Sequence, residues 1–230
     1  MPPEPRNPDR ADRILDAAAA LMLRLGYRKV TIEDVAKQAG IGKGTVYLHW
    51  RTKKELFYAL LLRESIAMTE QLLAVIEDDP EEIRMHRFVR SAYLLTMRSP
   101  LLAALLLRDT EVLGELAEME RAEDLVLNDR IYQIYVERGL LNDIPDLQFA
   151  LQATAIGFYL TDRFGHHEEL DLETKADSLS RVVRRAFEPD TGPDPATIAR
   201  TAAELGDILR DFTSRYRKRI YASDPTRGTR

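Results

Sequence analysis

Thr31-Ile-Glu-Asp-Val-Ala-Lys-Gln-Ala-Gly-Ile-Gly-Lys-Gly-Thr-Val-Tyr-Leu-His-Trp50 reads as two short helices joined by a glycine-bearing turn. Thr31 can cap the first helix, its hydroxyl accepting a backbone N–H, and Glu33 and Asp34 then sit favourably in the first turn. Ile32, Val35, Ala36 and Ala39 recur at helical spacing and give that helix one apolar face. Gly40 stands where a chain leaving a helix needs a positive φ. A second helix fits from Gly42 or Lys43 to about Trp50. This length and connection are those of a helix-turn-helix, whose second helix lies in the DNA major groove.

Composition strengthens the reading. Gly42 and Gly44 are poor helix formers, and two of them make sense if a sugar-phosphate chain must come close to the backbone. Lys43, Thr45, Tyr47 and His49 offer an ammonium, hydroxyls and an imidazole to phosphates or base edges. Val46 is a better candidate than Leu48 for locking the helix to its neighbours. The alternative is a flexible Gly-Lys-Gly turn with Tyr47 and Trp50 as ordinary core aromatics.

Together with Arg13-Ile-Leu-Asp-Ala-Ala-Ala-Ala-Leu-Met-Leu-Arg-Leu-Gly-Tyr27 and Lys53-Lys-Glu-Leu-Phe57, this segment resembles the N-terminal DNA-binding domain of the tetracycline-repressor (TetR) family over about residues 10–60. The resemblance implies an all-helical homodimer in which a small ligand in the C-terminal domain releases DNA. It also implies that Thr31, Lys43, Gly44, Thr45, Tyr47, His49 and Lys53 face DNA. There are two departures. Gly42 stands where many members carry a serine that caps the recognition helix, and Trp50 replaces the more usual phenylalanine or tyrosine.

With 230 residues and 45% hydrophobic content, the chain can build one large or two small domains. It contains no cysteine, which excludes disulfides, cysteine nucleophiles and cysteine-held metal, and fits a cytoplasmic location. The proline-rich start lacks the apolar core of a signal peptide, and no apolar run reaches the ~20 residues of a bilayer span, so no membrane partner is expected. The net charge of −5 is unevenly spread: residues 1–54 hold 11 Lys+Arg against 6 Asp+Glu, and the remainder is acidic. A basic end on an acidic body is expected when only the small domain meets phosphates.

Around the motif the pattern is helical throughout, with no segment alternating as a half-buried strand does. A first helix is expected from Asp9 or Arg10 to Leu25, and a long one from a Thr52–Glu55 capping box to about Ile76. In the family resembled, that long helix changes the spacing of the two recognition helices. Further helices are expected over Pro80–Arg98, Ser99–Leu107 (well buried), Val112–Arg138, Asp146–Phe164, Leu172–Phe187 and Ala196–Tyr221. The fold class is therefore all-α. Residues 1–8 are a disordered arm, 9–55 the helix-turn-helix domain (motif 31–50), 56–188 a larger helical ligand-binding and dimerisation domain, and 189–230 a linker with an extra C-terminal helix.

The helix over Leu147–Leu160 is apolar on opposite faces, so one face needs cover from outside its own domain. A two-fold dimer through Leu151, Phe158, Tyr159, Leu179, Val182 and Val183 supplies it; the alternative is the centre of a monomeric bundle. Along the last helix Ile198, Ala202, Leu205, Leu209, Phe212 and Tyr216 form a single seam that needs a partner surface. The Arg215, Arg217, Lys218 and Arg219 cluster suits a helix C-terminus, or alternatively a second DNA or acidic contact.

Catalytic chemistry is not legible. His166-His167-Glu168-Glu169 lacks a third and fourth ligand at metal spacing, and Glu77-Asp78-Asp79 stands before Pro80 where acidic caps are routine. Neither metal nor cofactor is expected. An effector cavity, implied by the resemblance, would draw on Phe88, Tyr93, Met97, Tyr132, Tyr135 and Phe158, with Arg98 and Arg163 either facing an acidic ligand or pairing with surface carboxylates. The resulting expectation is a non-enzymatic, sequence-specific regulator of transcription, a repressor. Its partners are an inverted-repeat duplex operator, a second copy of itself and a small-molecule effector. The alternative is an all-helical small-molecule-binding protein or enzyme that has lost or only borrows the motif.

Overall fold

Alanine and leucine at helical spacing make the first helix, α1 (Pro8–Leu25), which buries Ala11, Ile14, Leu15, Ala18, Leu21 and Met22 and leaves Arg13, Asp16 and Arg24 in solvent. The computed structural model describes residues 8–118, 122–161 and 169–220. Among these are eleven α-helices and no strand. The helix-turn-helix consists of α2 (Ile32–Gln38) and α3 (Lys43–His49), followed by the long α4 (Lys53–Asp78). Gly40 between α2 and α3 has φ +68°, the left-handed value that a residue with a Cβ adopts only at a cost.

The chain forms two compact units. The first comprises Met1–Ile66, Ala104–Met119 and Ser214–Arg230, so segments far apart in sequence join the helix-turn-helix. At the end of α1, Gly26 lies so close to the chain at Glu111 that a Cβ would come within 2.5 Å of that carbonyl oxygen. Next to it the Tyr27 N–H donates to the Val112 carbonyl at 2.8 Å. The short α7 (Thr110–Leu113) and the 3-10 turn Gly114–Glu118 are thereby held against α1.

The second unit comprises Ala67–Ala103 and Glu120–Thr213. Its central pairing is α5 (Met85–Arg98) against α10 (Leu172–Phe187). Ala176, Leu179, Val183 and Phe187 recur every three or four residues and bury one face of α10. Charged bridges border that face: Arg90 donates to Asp177 at 2.6 Å and to Glu173 at 2.9 Å, and Arg98 to Glu173 at 2.5 Å. At one end Glu188 accepts the backbone N–H of His86 at 2.7 Å and pairs with its Nδ1 at 2.7 Å, both side chains nearly buried. The remaining helices are α6 (Pro100–Leu106), α8 (Ala122–Glu137), α9 (Leu147–Thr161) and α11 (Pro195–Ile220), whose last turns belong to the first unit.

Several sequence expectations need correction. The single helix expected over Pro80–Arg98 is a 3-10 turn, Pro80–Ile83, and then α5. Arg84 between them is not helical (φ −56°, ψ 128°), and the N–H of His86 turns to Glu188 instead of a helical carbonyl. The helix expected over Val112–Arg138 breaks at Gly114, whose φ is +56°. In α6, Leu101, Leu102 and Ala104 are buried but Leu106 is exposed. The box expected at Thr52 closes differently: Thr52 Oγ1 accepts the Glu55 N–H at 3.1 Å, while the Glu55 carboxylate reaches the N–H of Arg51, at 2.8 Å. Glu77-Asp78-Asp79 acts structurally, with Asp79 capping the 3-10 turn and binding Arg87, and Glu77 paired to Arg210. Of the two readings of Arg98, the surface carboxylate is the one seen: it pairs with Glu173. Arg163 and the His166-His167-Glu168 run lie outside the described residues.

Candidate nucleic-acid interface

The first helix of the motif is fixed by a complete capping box. Thr31 Oγ1 accepts the Asp34 N–H at 3.1 Å, and the Asp34 carboxylate accepts the Thr31 N–H at 2.9 Å and its hydroxyl at 2.6 Å. These bonds hold the Asp34 carboxyl below the usual carboxylate range, the Thr31 hydroxyl contributing most. The buried Ile32, Val35 and Ala36 then anchor α2.

Only Val46 of α3 is buried. Lys43, Gly44, Tyr47 and Leu48 are exposed, and Thr45 and His49 are half-buried. One continuous face of the helix therefore carries an ammonium, a bare backbone, a phenol and an aliphatic side chain. Gly42 is the N-cap and, lacking a side chain, supplies no cap hydrogen bond. Neither Gly42 nor Gly44 has a left-handed φ, and a Cβ built on either meets nothing within 4 Å. No internal requirement for glycine exists at either position.

The cations are held in readiness. Lys43 forms an ion pair with Glu33 across the turn, and its ammonium stands 5.7 Å from the Tyr47 ring centre. The pair raises the Lys43 pKa and lowers that of Glu33, chiefly through their hydrogen bond. Because both side chains are exposed, the pair contributes little stability and a phosphate can displace it. Lys53 is more committed. Its Nζ lies 4.2 Å from the Tyr27 ring centre and 3.4 Å from the Arg28 carbonyl, and partial burial lowers its pKa, opposed by nearby Glu115. Tyr27 itself donates to Glu115 at 3.0 Å and packs edge-on against Phe57; burial first, then Glu115, pushes its phenol up to about 12.

Trp50 closes α3 and is buried, its ring 5.4 Å from that of His49. Its indole N–H donates to the carbonyl of Ile220, the last residue of α11, at 3.1 Å. So a bond across 170 sequence positions ties the end of the motif to the end of the chain's last helix.

Sequence reasoning missed two features here. Leu48 is 63% exposed on the same face as Lys43 and Tyr47, an aliphatic group suited to a thymine methyl. Only the phase of α3 against its neighbours reveals it. The Trp50–Ile220 bond had no sequence signal at all.

Comparison with known proteins agrees with this geometry. Residues 14–60 match the family of bacterial regulatory proteins, tetR family. Over this segment the chain is similar to the DNA-binding part of that family. It is 31% identical over 130 residues to the HTH-type transcriptional regulator AcrR of Shigella flexneri, covering 52% of this chain and 60% of that protein. It is 29% identical over 106 residues to the HTH-type transcriptional regulator TtgR of Pseudomonas putida, covering 46% and 50%. An uncharacterised HTH-type regulator of Bacillus subtilis, YhgD, is 42% identical over 59 residues, covering 24% and 31%. The chain thus spans about a third to three fifths of the length of these curated relatives. A tetR family transcription regulator from Shewanella sp. PV-4 shares the fold, with TM-score 0.51 and 16% identity over 77% of this chain and 97% of that one.

The residues expected to hold an effector all fall in the second unit. Tyr93 and Tyr135 are fully buried, while Phe88, Met97, Tyr132 and Phe158 are half-buried. The Tyr93 ring meets that of Tyr159 at 4.9 Å, and burial pushes the Tyr159 phenol up to about 12. Of the residues expected at a dimer seam, Leu151, Tyr159, Leu179 and Val183 are buried within the single chain. Val182, also expected there, is 42% exposed, and α9 adds Phe149 (75%) and Ile156 (43%), with the exposed Ala153 between these two and the exposed Gly157 next to Ile156. Among the described residues no group of three or more His, Asp or Glu could hold a metal ion, and no helix is long and apolar enough to cross a membrane.

Proposed function

We propose that this protein is a homodimeric, effector-responsive repressor of transcription that binds an inverted-repeat operator. In this reading residues 9–55 read DNA, 56–188 hold the effector and the dimer seam, and the protein acts in the cytoplasm without catalysing a reaction. One observation carries the DNA assignment: Gly42 and Gly44, on the exposed side of α3, answer to no internal packing or backbone demand. A backbone left bare on an exposed helix is what the close approach of a phosphate chain requires. Lys43, Thr45, Tyr47 and His49 supply contacts on the same helix, Thr31 flanks it at the cap of α2, and Lys53 adds sequence-independent attraction.

Duplication follows from the open apolar face on α9 and α10, which a two-fold partner covers. Two copies of α3 related by that axis suit half-sites one DNA turn apart. An effector among Phe88, Tyr93, Met97, Tyr132, Tyr135 and Phe158 releases DNA only through its difference in affinity for the bound and free conformations. Sequencing the genomic fragments retained by the purified protein tests the reading. A shared inverted repeat is expected, and a random collection of fragments overturns it.

A further inference from the structure

We infer that the C-terminal end of α11 is a second DNA-contacting surface, which grips phosphates flanking the operator through Arg215, Arg217, Lys218 and Arg219. This rests on the DNA-binding reading above and extends it to a part of the chain outside the matched segment.

The end of α11 has two faces. Thr213, Tyr216 and Ile220, at spacings of three and four, are buried, while Arg215, Arg217, Lys218 and Arg219 are exposed. From Ser214 onward the helix belongs to the same compact unit as α2 and α3. The attachment point is specific: Ile220 gives its carbonyl to Trp50, which caps α3. The cations are therefore mounted on a rod fixed at the end of the recognition helix, next in sequence to the exposed Arg51 and Lys54.

Charge points the same way. Residues 214–230 hold six Lys+Arg against one Asp, a surplus equal to that of residues 1–54. Residues 55–213 hold 16 Lys+Arg against 31 Asp+Glu. Both basic stretches of the sequence thus belong to a single unit, although one opens the chain and the other closes it. Favourable charge at a helix C-terminus accounts for one or two cations, which act within the last turn. This end carries four exposed cations, and its final carbonyl already has an indole partner. The Arg219 guanidinium stands over the Tyr216 ring, 5.4 Å from its centre, and a guanidinium suits a phosphate fork.

The test uses the full chain and a duplex carrying the operator with one further helical turn on each side. Binding is measured across 50–200 mM salt for the natural protein and for the Arg215→Gln, Arg217→Gln, Lys218→Gln, Arg219→Gln variant. The salt slope is expected to fall by about 1 for each phosphate contact removed, with affinity at the lowest salt about tenfold weaker and the operator-to-random ratio unchanged. A second variant, Arg215→Lys, Arg217→Lys, Arg219→Lys, keeps the charge and is expected to retain the natural slope. Trimming the flanking turns reads the same contact without any substitution and should lower the slope of the natural protein alike. A slope unmoved by both the Gln variant and the trimming overturns the inference, as does retention of the cationic end by an acidic protein or anionic vesicle with the slope unmoved. Failure of the natural protein to prefer any sequence would instead sink the operator reading.

Discussion

Glycine in the middle of an exposed helix costs about 1 kcal/mol relative to alanine. At Gly44 no contact offsets that cost. Gly44→Ala should therefore raise the unfolding free energy by about 0.5–1 kcal/mol in urea titrations, while weakening operator binding, because in the proposed complex the added methyl meets the phosphate chain. A variant that is both more stable and equally tight on DNA would remove the reason given for this glycine. Lys53 behaves differently, since its ammonium rests on the Tyr27 ring. Lys53→Ala should weaken binding to operator and random duplex by the same factor, and lower stability by about 0.5–1 kcal/mol through the lost cation–ring contact. Both residues stand out in the sequence, Gly44 by its poor helix propensity and Lys53 by the family resemblance. Leu48 does not. The sequence shows that it is apolar, but which side of a seven-residue helix faces out depends on the neighbours that bury Val46.

The ends of α3 and α11 are tied by a buried hydrogen bond from the Trp50 indole to the Ile220 carbonyl. Trp50→Phe fills much of the same space and leaves the Ile220 carbonyl without its donor, so a loss of about 1–3 kcal/mol is expected in chemical denaturation. In the second unit the α5–α10 pair is pinned by Glu188. Glu188→Ala strands a backbone N–H and an imidazole in a nearly buried place, and should cost about 1–3 kcal/mol, read as a shifted urea midpoint at unchanged slope. Helix positions were largely legible from apolar spacing and from Gly26, Gly40, Pro100 and Gly139. The breaks were not. Arg84 leaves the helix because a carboxylate 102 positions away captures the next but one N–H, and no local pattern announces that. Gly114, inside an otherwise helical run, is the visible signal of the other break.

For the whole molecule, the apolar residues open on α9 and α10 define the expected two-fold contact. Phe149→Glu combined with Ile156→Glu should give a single-copy protein by light scattering, with the melting temperature little changed because both side chains are exposed in the single chain. Operator affinity should fall with it, because one recognition helix then binds without its twin. The sequence marks α9 as apolar on opposite faces, and Phe149 and Ile156 are exposed on it. It could not sort Leu151 and Tyr159, which face inward, from Phe149 and Ile156, which do not. That choice depends on the direction from which α10 approaches.

Trp50 is the only tryptophan in the chain. Its indole is shielded and bonded to a main-chain oxygen where two helices end together. The intrinsic fluorescence of this protein is therefore a reporter placed by nature at that joint: emission stays blue while the joint is closed and moves to the red when water reaches the ring. Titrating candidate compounds or duplexes while following that colour would reveal, without any label, whether the reading head and the tail of the chain part company.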